Sequence, residues 1–162
     1  MLSVPFDSGP WPVGAVYKPL MPFRFRLSLR LRHPTLRADD ISKSLGVTPN
    51  FSWSAGEPRR NPEGRTLGGT RDETYWTWSI STSDSTWLGD AIDANLVEIG
   101  AHSGFLRDFV STGGSIEYFV GWFTSKVSGG ETLNWELLRR LADYQINISL
   151  DVYSAERAPE NP

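Results

Sequence analysis

Residues 23–32 read FRFRLSLRLR, an unbroken alternation that sets Phe23, Phe25, Leu27, Leu29 and Leu31 against Arg24, Arg26, Ser28, Arg30 and Arg32. Successive side chains of a strand point to opposite faces, so a period of two fits a strand with one covered face and fits no helix. The fold must therefore contain a sheet whose first strand buries apolar side chains on one side and carries a row of guanidinium groups on the other.

The rest of the chain supplies the elements that such a sheet needs. His33 and Pro34 break the strand, and Asp39 and Asp40 suit a first helical turn. The spacing predicts a helix over residues 37–45, with Ile41 and Leu45 inward and Gly46 as its stop. Residues 47–72 hold three prolines and four glycines beside Arg59, Arg60, Arg65 and Arg71, and read as one long loop. A second strand is expected over 73–81, with Trp76, Trp78 and Ile80 inward. Two helices follow, over 87–99 and around Phe105 to Val110, closed by Gly113-Gly114. Residues 115–124 read as a buried strand and 133–144 as a helix capped by Thr132. The last strand, 146–153, is expected to turn Ile146, Ile148, Leu150 and Val152 inward.

This order is strand, helix, strand, two helices, strand, helix, strand. It predicts an α+β fold, a ferredoxin-like sandwich from two split βαβ units, with a mostly antiparallel four-stranded sheet and helices on one face. The first and third of these strands are expected at the centre. Residues 1–22, with five prolines, read as an arm before a single domain over 23–154, and 155–162 as a polar tail.

Composition narrows the function classes. The 162 residues include seven Trp, eight Phe, five Tyr and no Cys, which allows a large aromatic core and excludes disulfides, thiolate metal sites and Cys nucleophiles. A net charge of −3 and a pI near 5.4 disfavour nucleic acid as a partner. No stretch has the length and apolarity of a membrane span, no secretory pattern opens the chain, and cytoplasm is the expected compartment.

Residues 41–58, ISKSLGVTPNFSWSAGEP, join a helix stop to a Trp-bearing Gly-Glu-Pro turn. They precede the YWTWSI strand and the closing LLRRLADYQINISLDVY. In this order and spacing the pieces resemble the bacterial family known as domain of unknown function 4279, over roughly residues 23–153. The resemblance implies a fold and a binding role of the accessory or immunity type. It supplies no catalytic residue to carry onto this chain.

The chemistry-bearing residues agree with that silence. His33 and His102 are the two histidines, and Glu98 with His102 is the nearest approach to ligand spacing. No Walker-type phosphate loop and no nucleophile elbow occurs, so neither a metal nor a cofactor is expected. The strongest electrostatic signal is the row Arg24, Arg26, Arg30 and Arg32. Alternate residues of a strand lie about 7 Å apart, where like charges repel by roughly 0.6 kcal/mol in water and about 2.4 kcal/mol at an effective dielectric near 20. The row is tolerable if solvated and needs anions if covered, with Glu117 and Asp151 as candidates within the chain.

Trp53, Glu57, Arg59 and Arg60 form a second candidate cluster, with Trp53 as a pocket wall. The sequence thus points to a noncatalytic binding or interaction domain. Its expected partner is an acidic protein or a small anion, and a homodimer is a further expectation through the arm or the sheet edge. The alternatives are a small-molecule enzyme, with Glu57 or His102 in an arginine-lined pocket, and a single-stranded RNA binder. The strand SIEYFVGWF lacks the aromatic signature of RNA-binding sheets.

Overall fold

The computed structural model describes residues 24–124 and 130–154; the proline-rich arm over 1–22 and the tail over 155–162 lie outside the described residues. The alternating segment forms β1 (Arg24–His33), with Phe25, Leu27, Leu29, Leu31 and His33 all buried. It is followed by α1 (Ala38–Leu45), β2 (Phe51–Trp53), β3 (Pro58–Arg60), β4 (Thr66–Thr70) and β5 (Thr74–Ile80). Next come α2 (Leu88–Gly100), α3 (Ser103–Ser111), β6 (Ser115–Thr124), α4 (Trp135–Asp143) and β7 (Ile146–Ser154).

Five strands make the main sheet, in the order β2-β5-β1-β6-β7, and β3 and β4 form a separate hairpin. Three neighbouring pairs of the main sheet are antiparallel, and β6 with β7 is parallel. The expected four-stranded sheet is thus corrected to five. The loop predicted over 47–72 contains an edge strand and a hairpin. Their segments are too short, and the hairpin too exposed, for an apolar period to announce them.

The pairing of strands into units is corrected too. The second and fourth expected strands, β5 and β7, were to complete units begun by β1 and β6. Instead β5 lies directly beside β1 and antiparallel to it, while β7 lies directly beside β6. β1 runs parallel to β2 with β5 between them, and β5 runs parallel to β6 with β1 between them. The first and third expected strands, β1 and β6, are interior.

One face of the sheet carries the core. Leu29 stands between Trp78 and Tyr118, and Leu31 between Trp76 and Ile116. All four helices contribute to the same buried cluster, through Ile41 and Leu45, Ile92 and Leu96, Leu106 and Phe109, and Leu137 and Leu141. Two polar links, one part-buried and one buried, fix its geometry: Trp76 Nε1 donates to Ser42 Oγ at 3.0 Å, and Tyr118 Oη donates to Asn95 Oδ1 at 2.8 Å. Burial raises the Tyr118 phenol pKa, and the Glu98 charge adds to the effect, so the hydroxyl stays a donor.

Helix ends obey local chemistry. Gly46 takes the left-handed conformation at φ 66° and closes α1, as its sequence position predicts. α4 begins at Trp135, and its cap is Asn134, whose Oδ1 accepts from Leu137 N at 2.8 Å, in place of the expected Thr132. Leu133 consequently lies before the helix.

The last strand departs from its predicted burial. Ile146 is 6% exposed, but Leu150 and Val152 are 57% and 61% exposed. α4 reaches β7 through the tight turn at Tyr144 and Gln145, and its nine residues cover only the first part of that strand.

Candidate functional site

The face opposite the helices is where the guanidinium row emerges. The strand registers sort it into rows. Trp53, Tyr75, Arg32 and Ser115 form one, and Phe51, Thr77, Arg30, Glu117 and Asn147 the next. Then come Ser79, Ser28, Phe119 and Ser149, followed by Arg26, Gly121 and Asp151, and finally Arg24, Phe123 and Tyr153. The middle rows combine small residues, Ser28, Ser79, Ser149 and Gly121, with the Phe119 ring, which stands between Ser28 and Ser149.

The arginines are not equivalent. Arg30 Nη1 lies 3.5 Å from Glu117 Oε1, and its guanidinium sits 3.4 Å from the centroid of the Phe119 ring. Glu117 is held in turn by Ser149, whose Oγ donates to Glu117 Oε2 at 2.9 Å. Arg32 Nη1 donates to Glu73 Oε1 at 2.7 Å, with its guanidinium 5.0 Å from the Tyr75 ring. The Arg32–Glu73 pair is exposed and contributes about 0–1 kcal/mol, while the Arg30–Glu117 pair is half-buried. Their larger effect is to cancel charge on that half of the face.

Arg24 and Arg26 differ. Among the described residues neither makes an ion pair; Arg26 rests 5.9 Å from the Phe123 ring centroid, and both are exposed. Asp151, expected as a partner of the row, is separated from Arg26 by Gly121, two strand spacings or about 10 Å away. Its carboxylate instead accepts from Tyr153 Oη. That hydrogen bond raises the Tyr153 phenol above its usual value, with slight desolvation and the Asp151 charge adding and Arg30 opposing. Tyr153 also stacks on Phe123 at 5.1 Å and 15°. Among the described residues, positive charge without an ion-paired carboxylate therefore collects at the start of β1, beside a stacked aromatic pair.

The second predicted cluster divides. Trp53, expected as a pocket wall in a turn, belongs to β2 and is held from three sides. Its Nε1 donates to Glu73 O at 3.0 Å, Tyr75 packs at 4.8 Å, and the Arg71 guanidinium lies 4.0 Å over the ring. Glu57 Oε1 lies 3.7 Å from Arg37 Nη2 at an exposed site. Arg60 Nη1 donates to Gly64 O within the hairpin, and Arg59 is exposed beside it. Trp53 thus adjoins the sheet face, whereas Glu57, Arg59 and Arg60 belong to the turn and hairpin beyond it.

The joint itself has a structural role that the sequence concealed. Ser54 is buried, and its Oγ accepts from Ala38 N at 3.1 Å. Arg37 provides no side-chain cap, so Ser54 supplies one to α1 from sixteen residues away. No local spacing could reveal a cap contributed over that separation.

Sequence reasoning also missed Phe119, Gly121, Phe123 and Tyr153. The run SIEYFVGWF looks buried throughout, which hid the alternation within it. Parity was the available signal: with Ile116, Tyr118 and Val120 inward, Glu117, Phe119, Gly121 and Phe123 must face the arginines.

The histidines and the cavity stand apart from this face. His33 is buried; its Nδ1 accepts from Thr35 N and Leu36 N at 3.1 and 2.8 Å, and its Nε2 lies 3.0 Å from Thr112 Oγ1. Burial lowers its pKa, and this bonding suits a neutral ring. A groove of about 600 Å³ opens between α3, α4 and β7, lined by residues including Val110, Leu138, Leu141, Ile146 and Ile148. Neither Glu57, His102 nor any candidate arginine lines it. Among the described residues no group of three or more His, Asp or Glu side chains is placed to hold a metal ion.

A family model described as Domain of unknown function (DUF4279) matches residues 23–155. The chain belongs to the DUF4279 family. No curated protein and no solved structure matches it significantly. The matched segment of this DUF4279 chain contains every described residue of the arginine face, of the Trp53 joint and of the groove.

Proposed function

We propose that this chain is a noncatalytic binding domain, of the accessory or immunity type, whose open sheet face takes an acidic segment of a partner protein. The observation that carries this reading is the division of the arginine row. Arg30 and Arg32 have carboxylates, whereas Arg24 and Arg26 project beside the Phe123 and Tyr153 rings with none among the described residues. A partner carboxylate would find two donors there, and an apolar neighbour would find the ring pair.

We read the sheet as ferredoxin-like with one added strand. β1, α1 and β2 with β5 inserted support one split unit, β5, the α2 and α3 pair and β6 with β1 inserted support the other, and α4 and β7 follow.

The test is binding of a fluorescently labelled Glu-rich peptide to the intact chain, followed by anisotropy at increasing salt. Arg24→Glu combined with Arg26→Glu is expected to weaken binding at least tenfold, about 1.4 kcal/mol, and to flatten its salt dependence. Melting should be unchanged, since both side chains are exposed. Equal affinity in the charge-reversed chain, or no binding by the native chain, would remove this face as the acidic-partner site.

A further inference from the structure

The two edges of the sheet are unequal. β2 is three residues long, a blunted edge of the kind that resists pairing. β7 has nine residues, β6 on one side and, among the described residues, no strand on the other. Half of its backbone N–H and C=O groups therefore point away from the sheet. The usual protections are scarce along β7: its sequence INISLDVYS holds no proline and no lysine, and one charge, Asp151.

The apolar side chains of this edge are divided along its length. At its start, Ile146 and Ile148 help line the groove beneath Leu138, itself 46% exposed. Toward its end, Leu150 and Val152 stand 57% and 61% exposed on the same face, with no helix of the described residues over them. One half of the strand offers a recess and the other half offers two projecting side chains.

We propose that β7 is a self-pairing edge, at which a second copy of this chain adds its own β7 antiparallel about a two-fold axis at Ser149. Pairing about this axis sets Leu150 of each copy opposite Ile148 of the other, and Val152 opposite Ile146. The projecting half of each strand then meets the recessed half of its mate. The same register places Asp151 opposite Asn147, keeping the two carboxylates apart, and it continues the main sheet into that of the second copy. A two-fold contact of this type uses the same patch on both copies, which the two unlike halves of β7 satisfy. The open arginine face stays uncovered, because pairing occurs in the plane of the sheet.

The absence of cysteine makes a covalent test clean. Light scattering after gel filtration is expected to give a dimer mass for the native chain at tens of micromolar. Leu150→Lys with Val152→Lys should give a monomer whose circular dichroism and melting are retained, because both side chains are exposed before pairing. Ser149→Cys should form a disulfide-linked dimer under mild oxidation, since directly opposed residues approach within disulfide range. Asn147→Cys, four residues from its own mate in this register, should cross-link far more slowly. A native chain that stays monomeric while Ser149→Cys fails to cross-link would overturn the proposal. Faster linking through Asn147→Cys would overturn the register.

Discussion

Gly114 is predicted to be the least replaceable glycine between α3 and β6, for want of space. A Cβ built there would lie 2.4 Å from Phe109 Cε1, 2.5 Å from Phe109 Cδ1 and 2.5 Å from the Phe109 carbonyl oxygen, where ordinary contact begins near 3.4 Å. The ring is 2% exposed and packed against Phe105 and His33, so it has no free direction in which to withdraw. The oxygen is fixed as well, since it accepts from Gly114 N at 2.9 Å. Overpacking that forces side chains and backbone to shift costs about 1–3 kcal/mol, and a clash with both the ring and the carbonyl oxygen places Gly114→Ala at the upper end, about 3 kcal/mol. At about 2–4 °C per kcal/mol for a chain of this size, the melting temperature should fall by about 6–12 °C.

Neighbouring Gly113 is the control. Its φ is 97°, but an added Cβ would meet Pro34 Cγ at an ordinary 3.5 Å, so Gly113→Ala carries backbone strain alone, about 1–2 kcal/mol. Urea unfolding of both variants and of Gly114→Ala in a Phe109→Leu background measures the coupling. Removing ring atoms should recover part of the loss, and the carbonyl contact should keep the rest. A Gly114→Ala loss under about 0.5 kcal/mol, or strict additivity with Phe109→Leu, would refute the steric reasoning.

Two further predictions concern buried polar groups. Ser54→Ala should cost about 1–2 kcal/mol in urea unfolding, because it strips α1 of its distant cap and leaves Ala38 N buried without an acceptor; an unchanged midpoint would show that α1 needs no such cap. Because the folded pKa of His33 is lowered from 6.5, its contribution to stability is complete above that value and is lost as pH falls toward the folded value. Melting temperature should therefore decline between about pH 7.5 and 5.5, and the decline should be smaller in a His33→Phe chain, whose overall stability is lower but lacks this titration; equal slopes would assign the decline to other groups.

What could be read from the sequence follows the range over which each signal acts. The β1 alternation, the α1 stop at Gly46 and the inward parity of Trp76 and Trp78 are local patterns, and they appear in the structure as predicted. β2 was illegible because three residues cannot display a period, and losing it displaced the assignment of every later strand to its unit. Parity sorted Leu150 and Val152 to the helix face, but whether a helix reaches them depends on the length and placement of α4. The arginine row was visible as a row. Its division into neutralised and open halves was not, because Glu117 reaches it from β6 and Glu73 from the turn before β5, at separations of 41 residues and more.

Binding at the arginine face is tested most directly by chemical-shift mapping of a Glu-rich peptide on the isotope-labelled chain. Perturbed amides are expected to gather on the open face at Arg24, Arg26, Gly121, Phe123 and Tyr153, and Arg24→Glu with Arg26→Glu is expected to abolish them. Perturbations confined to the groove or the hairpin, or a pattern unchanged by the charge reversal, would contradict it.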